Sequence, residues 1–290
     1  MASNGISVGG GAGAGDMLAQ LRDLDRDRYL ACLLMPEGAR ADIATLYLFN
    51  AEIAAIRERV SEPLPGEIRL QWWRDVIAGD RGSEAAAHPL AQALLEVVAR
   101  HRLPQAALER LLEARLFDLY DDPMPDRAAY EQYAGETGSA LMQLTALILD
   151  PAGAPTLADA CGHAGIALAV AGHLMLLPLH RRRGQVFLPG DLLTATGLDR
   201  ESFLTSDDPL RAGAAVSAFV AFGREHLAAA RTALAGAHGA GRHAVLPAAI
   251  APNVFARADR MGARCLTDPP QPSLLSRQWR LWRASRSGAI

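Results

Sequence analysis

The sequence contains no lysine, so that arginine supplies all 29 basic residues of its 290. Without lysine the chain can form neither a Schiff base nor a P-loop phosphate site, and a pyridoxal phosphate site is excluded with them. Cysteine is scarce: Cys32, Cys161 and Cys265 are too far apart for a disulfide framework or a paired metal knuckle, which is typical of a reducing cytoplasm. Acidic residues number 32, and the net charge of −3 gives no overall field that favours nucleic acid as a partner.

The sequence also lacks the pattern of a signal peptide and an apolar run of membrane-spanning length. Residues 9–15 read GGGAGAG, and no strand precedes them as a dinucleotide-binding loop would require, so we expect a disordered tail over residues 1–15. The longest apolar run, 164–179, is shorter than the roughly 20 residues that cross a bilayer. This run predicts a buried helix, and the whole chain is expected to be soluble or peripheral to a membrane.

Apolar residues recur at spacings of three and four along most of the chain, as in 38–60, where Ile43, Leu46, Phe49 and Ile53 share one helical face. No stretch shows the period-two alternation of strands. The sequence therefore predicts an all-α fold, with one large helical domain over 16–268 and a basic tail over 269–290. Further helices are predicted at 67–77, 89–101, 105–119, 127–149, 155–177, 209–234 and 247–260.

Carboxylates one helical turn apart could hold Mg²⁺ in such a fold. Asp23 and Asp27 have this spacing, but they fall at a helix start among three arginines, which favours a solvated helix terminus. The acids of 121–126 are separated by two prolines and indicate a turn, in which Asp126 caps the next helix. His173 lies on an apolar face and is expected to be a core histidine. The sequence thus predicts no metal site.

A first basic cluster follows the apolar run directly. Arginine forks match phosphate oxygens, so an anion or phosphate site is one interpretation of this cluster, and a solvated loop is the other. Its residues are His180, Arg181, Arg182 and Arg183.

A second basic cluster alternates arginine with tryptophan near the end of the chain, and no acid follows Asp268. This composition suits contact with a membrane surface or a partner protein, while a terminus packed onto the core is the alternative. The candidate contact residues are Arg277, Trp279, Arg280, Trp282 and Arg283.

Six short segments, taken in order, resemble the squalene/phytoene synthase family over about residues 28–268. They are 33–36 (LLMP) with Arg40, 46–49 (LYLF), 72–74 (WWR), 88–90 (HPL), 133–138 (YAGETG) and 184–192 (GQVFLPGDL). The resemblance implies a single all-α bundle of the isoprenoid synthase type. Active members of the family join two prenyl diphosphates head to head, with Mg²⁺ held by two aspartate-rich motifs.

Both of those motifs are degenerate in this sequence. The first falls on 54–58 (AAIRE), with Ala54 in place of an aspartate and Glu58 as the remaining acid. The second falls on 169–180, where Leu176 and His180 replace aspartates and Gly172 replaces an asparagine. The resemblance therefore implies no catalytic residue, no bound metal and no cofactor. A cation that neutralises the leaving diphosphate would have lost its ligands.

The same pattern resembles the aspartate-less branch of the family, the complex I assembly factors of mitochondria and α-proteobacteria. It includes Phe49 and Asn50 with Glu52, and the segment 182–191 (RRGQVFLPGD). The implied function is a non-catalytic factor in respiratory complex I assembly or a membrane-peripheral scaffold. It would be cytoplasmic, peripheral to the inner membrane, and partnered by the membrane surface or by respiratory complex subunits. A prenyl or phospholipid ligand stays open. The alternative is a divergent head-to-head prenyl transferase, which alone would need Mg²⁺.

Overall fold

The computed structural model of the chain describes residues 14–205 and 207–290, and every regular element within them is helical. The all-α prediction is confirmed. The predicted tail over 1–15 lies outside the described residues except for its last two, which already belong to the first helix. The helices are α1 Ala14–Leu24, α2 Arg26–Leu33, α3 Arg40–Ala54, α4 Pro63–Ala78, α5 Gly82–Ala87, α6 Pro89–His101, α7 Gln105–Ala114, α8 Arg127–Ala134, α9 Ala140–Leu149, α10 Ala158–Arg182, α11 Gly190–Ala195, α12 Arg200–Thr205, α13 Pro209–Leu234, α14 Ala251–Met261 and α15 Leu274–Ser287.

Local sequence signals place several helix starts. Proline occupies the first position of α6 and of α13, where its fixed φ and missing N–H are tolerated. Asp208 caps α13 by accepting hydrogen bonds from two backbone N–H groups. Asp126 caps α8 in the predicted way, because its Oδ1 accepts from the N–H of Ala129 at 2.8 Å.

Helix α10 is the central helix, and it packs against α9, α13 and α14. Its close approach to the π-helical turn Gly135–Ser139 depends on Gly165, since a Cβ at that position would overlap the backbone of Ser139. The Ser139 hydroxyl donates to the carbonyl of Gly162 at 2.6 Å and fixes the same contact. Within the described residues, Ala154–Arg182 is the stretch long and apolar enough to cross a membrane, and 56% of its most apolar window is buried in the fold.

The predicted end of this helix at residue 177 is corrected by the structure. α10 continues through Pro178 to Arg182. Proline removes a single backbone donor from the helical ladder, and the turns that follow remain hydrogen-bonded. The chain leaves the helix at Gly184, whose positive φ of 73° suits glycine.

The segment predicted as a basic tail contains α15. Leu281 and Ala284 are buried, and they lie on the face that packs against the 3₁₀ segment Ala240–Ile250. The N–H of Ser276 is bound by the side chain of Ser273, which caps the helix. Nε of Arg231 donates a hydrogen bond to the backbone oxygen of Ile290 at 2.6 Å.

Candidate functional site

A cavity of about 440 Å³ lies between α2, α3, α10 and the segment Ala240–Ile250. Four of the five positions that the resemblance aligns with the family's motifs line it: Ala54, Glu58, Gly172 and Leu176. The structure thus brings together side chains that are more than 100 residues apart in the sequence. The fifth position, His180, is buried outside the lining, with its ring centroid 5.7 Å from that of His173.

Three carboxylates line the cavity, and each faces an arginine. Asp25 caps α2, and its Oδ2 lies 2.5 Å from Nη1 of Arg28. Nη1 of Arg183 lies 4.0 Å from Oε1 of the more exposed Glu58. Among the described residues no group of three histidine, cysteine, aspartate or glutamate side chains is arranged to hold a metal ion. The residues present do not fit a Mg²⁺–diphosphate centre.

The third carboxylate, Asp27, corrects the expectation of a solvated helix terminus. Its side chain is only 17% exposed, and its two oxygens lie 2.8 and 2.7 Å from Nη1 of Arg277 on α15. Burial raises the pKa of Asp27 above its usual value, although the Arg277 guanidinium acts in the opposite direction. Asp23 is exposed and pairs with Arg22, in agreement with a solvated position. The local sequence could not show a partner 250 residues away.

A buried polar network forms another wall of the cavity. Nη1 of Arg115 donates to Asp118 at 3.0 Å and to the Tyr133 hydroxyl at 3.2 Å, while Nη2 donates to Asn50 at 3.2 Å. The Tyr133 hydroxyl donates to Asp118 at 2.7 Å, and burial raises the pKa of this phenol well above its usual value. Asp118 lies in the same short segment as Arg115, but Asn50 and Tyr133 come from other helices, so no local sequence pattern marks Arg115 as a site residue.

His173 has its Nδ1 2.8 Å from the Tyr130 hydroxyl, and its ring stacks on Phe187 with centroids 4.2 Å apart. Burial lowers the pKa of His173 well below 6.5, and the nearby Arg115 guanidinium acts in the same direction. The imidazole is therefore neutral and held in place. It is a satisfied histidine, as expected, and it also reaches the cavity surface.

The structure does not bring together the four residues of the predicted anion site. His180 is buried against Phe187, and burial, aided by the Arg183 charge, lowers its pKa to about 4. Arg181 donates to the carbonyl oxygens of Leu204 and Thr205, at 2.7 and 3.1 Å. Arg182 is exposed, and Arg183 faces Glu58. The histidine is not a cation, and the arginines point to different surroundings.

The residues of the second basic cluster divide between the two sides of α15. The Arg277 side chain, 12% exposed, is occupied by Asp27 and faces the protein, which corrects its place among the surface contacts. Arg280 is partly buried, whereas Trp279, Trp282 and Arg283 are exposed.

Comparison with known proteins identifies relatives of two kinds. The family model for squalene/phytoene synthase matches residues 21–283. A Bos taurus protein named NADH dehydrogenase (ubiquinone) complex I, assembly factor 6, is 34% identical over 210 residues, which are 70% of this chain and 62% of that protein. The Homo sapiens protein of the same name is 34% identical over 189 residues, 64% of this chain and 56% of that protein. A phytoene synthase from Cereibacter sphaeroides is 26% identical over 197 residues, 63% of this chain and 54% of that enzyme. The chain thus spans less than two thirds of the length of each of these relatives.

Solved structures share the fold. A dehydrosqualene synthase has a TM-score of 0.80 at 13% identity, covering 94% of this chain and 95% of the other. A squalene synthase from Alicyclobacillus acidocaldarius has a TM-score of 0.65 at 15% identity, with 95% and 94% covered. These likenesses show the isoprenoid synthase fold. Because the family model matches residues 21–283, which is most of the chain, the chain belongs to the squalene/phytoene synthase family.

Proposed function

We propose that this chain is a non-catalytic factor in the assembly of respiratory complex I, acting at the cytoplasmic side of the inner membrane. The relatives that are 34% identical to it are named as complex I assembly factors, and the matched phytoene synthase is more distant at 26%. Respiratory complex subunits are the partners that this function requires.

The observation that supports the proposal is that each carboxylate lining the cavity faces an arginine. A Mg²⁺ ion that binds a diphosphate needs carboxylate oxygens free to coordinate it. Here Asp25 and Asp27 are bound to guanidinium groups, and Ala54, Gly172 and Leu176 offer no oxygen ligand from their side chains. The side chains that line the cavity therefore support a structural role.

Deletion of the gene in its source organism tests this function. We expect assembled complex I, measured on native gels and by NADH oxidation in membranes, to fall, and the C30 and C40 isoprenoids to be unchanged. Reintroducing the wild-type chain should restore the complex. Unchanged complex I in the deletion strain would contradict the proposal.

Glu58→Gln separates the proposal from the alternative of a divergent prenyl transferase. Glu58 is the acid that remains at the first motif, and its side chain is half exposed. A non-catalytic factor should restore complex I equally well with glutamine at this position. A transferase that used Glu58 as its last metal ligand would not restore complex I equally well with glutamine at this position. In parallel, the purified chain with farnesyl or geranylgeranyl diphosphate, Mg²⁺ and NADPH should give no C30 or C40 product, and turnover above a protein-free control would favour the transferase.

A further inference from the structure

Helix α15 has a second apolar stripe that faces away from the protein. Leu275, Trp279 and Trp282 follow one another at spacings of four and three, and their exposed fractions are 77%, 55% and 51%. Arg283 and Arg286 continue the same side of the helix. The buried residues Leu281 and Ala284 lie on the opposite side. We refer to Leu275, Trp279, Trp282, Arg283 and Arg286 as the Trp stripe.

The arginines of the Trp stripe rest on its tryptophans. The guanidinium carbon of Arg283 lies 5.5 Å from the ring centroid of Trp279, and that of Arg286 lies 5.8 Å from the ring of Trp282. Such cation–π contacts hold each guanidinium over an indole face while leaving its N–H groups available to an anion. The stripe therefore combines apolar surface and positive charge in the same few side chains.

The electrostatic surroundings of the stripe are positive. The sequence has no acid after Asp268, and within the described residues no carboxylate pairs with Arg280, Arg283 or Arg286. The charges that act on Arg280 are those of Arg231 and Arg283, which have the same sign. This concentration of positive charge stands out in a chain whose net charge is −3.

We propose that the Trp stripe docks the protein on the surface of a bilayer that contains anionic lipids. Tryptophan side chains prefer the level of the lipid headgroups, and arginines beside them bind headgroup phosphates. Tryptophan and arginine are also enriched in protein interfaces, so it is the concentration of positive charge without a neighbouring acid that favours an anionic bilayer over a protein partner. This proposal rests on the proposed function only for the identity of the membrane to which the protein binds.

Vesicle sedimentation with the purified full-length chain tests this proposal. We expect binding to vesicles with about 30% phosphatidylglycerol in phosphatidylcholine, much weaker binding to pure phosphatidylcholine, and release on going from 0.1 to 0.5 M salt, since the Debye length of about 10 Å at 0.1 M then shortens. Arg283→Gln with Arg286→Gln should weaken binding about 20- to 30-fold, from the usual contribution of an arginine near an anionic surface. Trp279→Ala with Trp282→Ala should weaken it at least as much.

A matched control is available on another helix. Leu64 and Ile68 of α4 are exposed by 64% and 61% and have the i, i+4 spacing of Leu275 and Trp279. Leu64→Ala with Ile68→Ala should leave vesicle binding unchanged if the stripe is the contact. All of these substitutions are at exposed positions, and unchanged circular dichroism and thermal unfolding would show that the variants are folded.

Two results would overturn the proposal. One is equal binding of the stripe variants and the wild type to anionic vesicles. The other is the absence of vesicle binding together with stripe-dependent capture of a complex I subunit, which would assign the surface to a protein partner. If gene deletion leaves complex I intact while purified protein still binds vesicles through the stripe, the assembly function fails and the docking surface stands.

Discussion

Replacing Arg277 by glutamine should lower the free energy of unfolding by about 2–4 kcal/mol at neutral pH. Nη1 of Arg277 lies 2.7 and 2.8 Å from the two oxygens of Asp27, and the side chains are 12% and 17% exposed. Removing one partner of a buried ion pair typically costs about 3–5 kcal/mol because the other charge is left without compensation. Because both side chains keep some exposure to solvent, we expect the smaller loss of about 2–4 kcal/mol.

The destabilisation should depend on pH with a definite sign. Burial raises the pKa of Asp27 above its ordinary value, and Arg277 opposes the shift. A carboxyl whose pKa is raised in the folded state holds its proton more tightly there, so stability falls as the pH rises through that value. Without Arg277 the pKa of Asp27 rises further. The difference between wild type and Arg277→Gln should therefore be small near pH 4 and largest above pH 7.

Urea unfolding followed by circular dichroism between pH 4 and 8 measures this difference. Arg283→Gln, on the exposed side of the same helix, is the matched control and should change stability by less than about 0.5 kcal/mol. Asp27→Asn and the double variant complete a cycle, whose coupling energy should be about 1–3 kcal/mol. Either a loss below 1 kcal/mol at pH 7.5 or a loss independent of pH would refute the inference that the pair is buried and charged.

Three other experiments test the packing and the titrations. Gly165→Ala should destabilise the protein by about 2–3 kcal/mol through overlap with the neighbouring turn. Gly162→Ala, in open space on the same helix, should stabilise it by up to about 1 kcal/mol. Equal melting temperatures of the two variants would contradict this. Burial lowers the pKa of His180 to about 4, so stability should fall as the pH drops below about 6.5, and His180→Leu should reduce that fall by about 2–3 kcal/mol, as chemical unfolding at pH 7 and 4.5 can show. Burial raises the pKa of the Cys161 thiol to about 12, and all three cysteines are buried. A thiol reagent at pH 8 should therefore modify no cysteine in the native protein and all three after denaturation. Rapid modification of the native protein would contradict their burial.

Helix boundaries were predictable where a cap and a proline define the first turn. α6 and α13 have the predicted bounds because each begins at a proline behind a capping side chain. α5, α11, α12 and α15 were not predicted. The first three have only six residues each, too few to show a period. In α15 the buried residues Leu281 and Ala284 are interleaved with arginines and exposed tryptophans, and the charged sequence hides its apolar face.

The candidate site was predictable only as far as a motif marks it. The degenerate positions Ala54, Gly172 and Leu176 come from the resemblance to the family, and the structure shows that they share a cavity. The hydrogen bonds of Arg115 to Asn50 and of Arg277 to Asp27 could not be inferred, since they span 65 and 250 residues, respectively. Long-range pairing of this kind depends on how the helices pack, and the spacing of residues along one helix does not predict it.

Helix α15 connects the cavity to the Trp stripe. Its inner face holds Asp27 of the cavity wall through Arg277, and it packs on the segment Ala240–Ile250, which contributes Pro247 and Ile250 to the same wall. Its outer face presents Trp279 and the rest of the stripe. A force that displaced the helix at the membrane would therefore act first on a buried ion pair and an apolar contact, both of which are costly to break. Docking through the stripe should thus hold the cavity wall in a fixed position next to the bilayer, and loss of the Arg277–Asp27 pair should loosen that position without removing any residue that touches lipid.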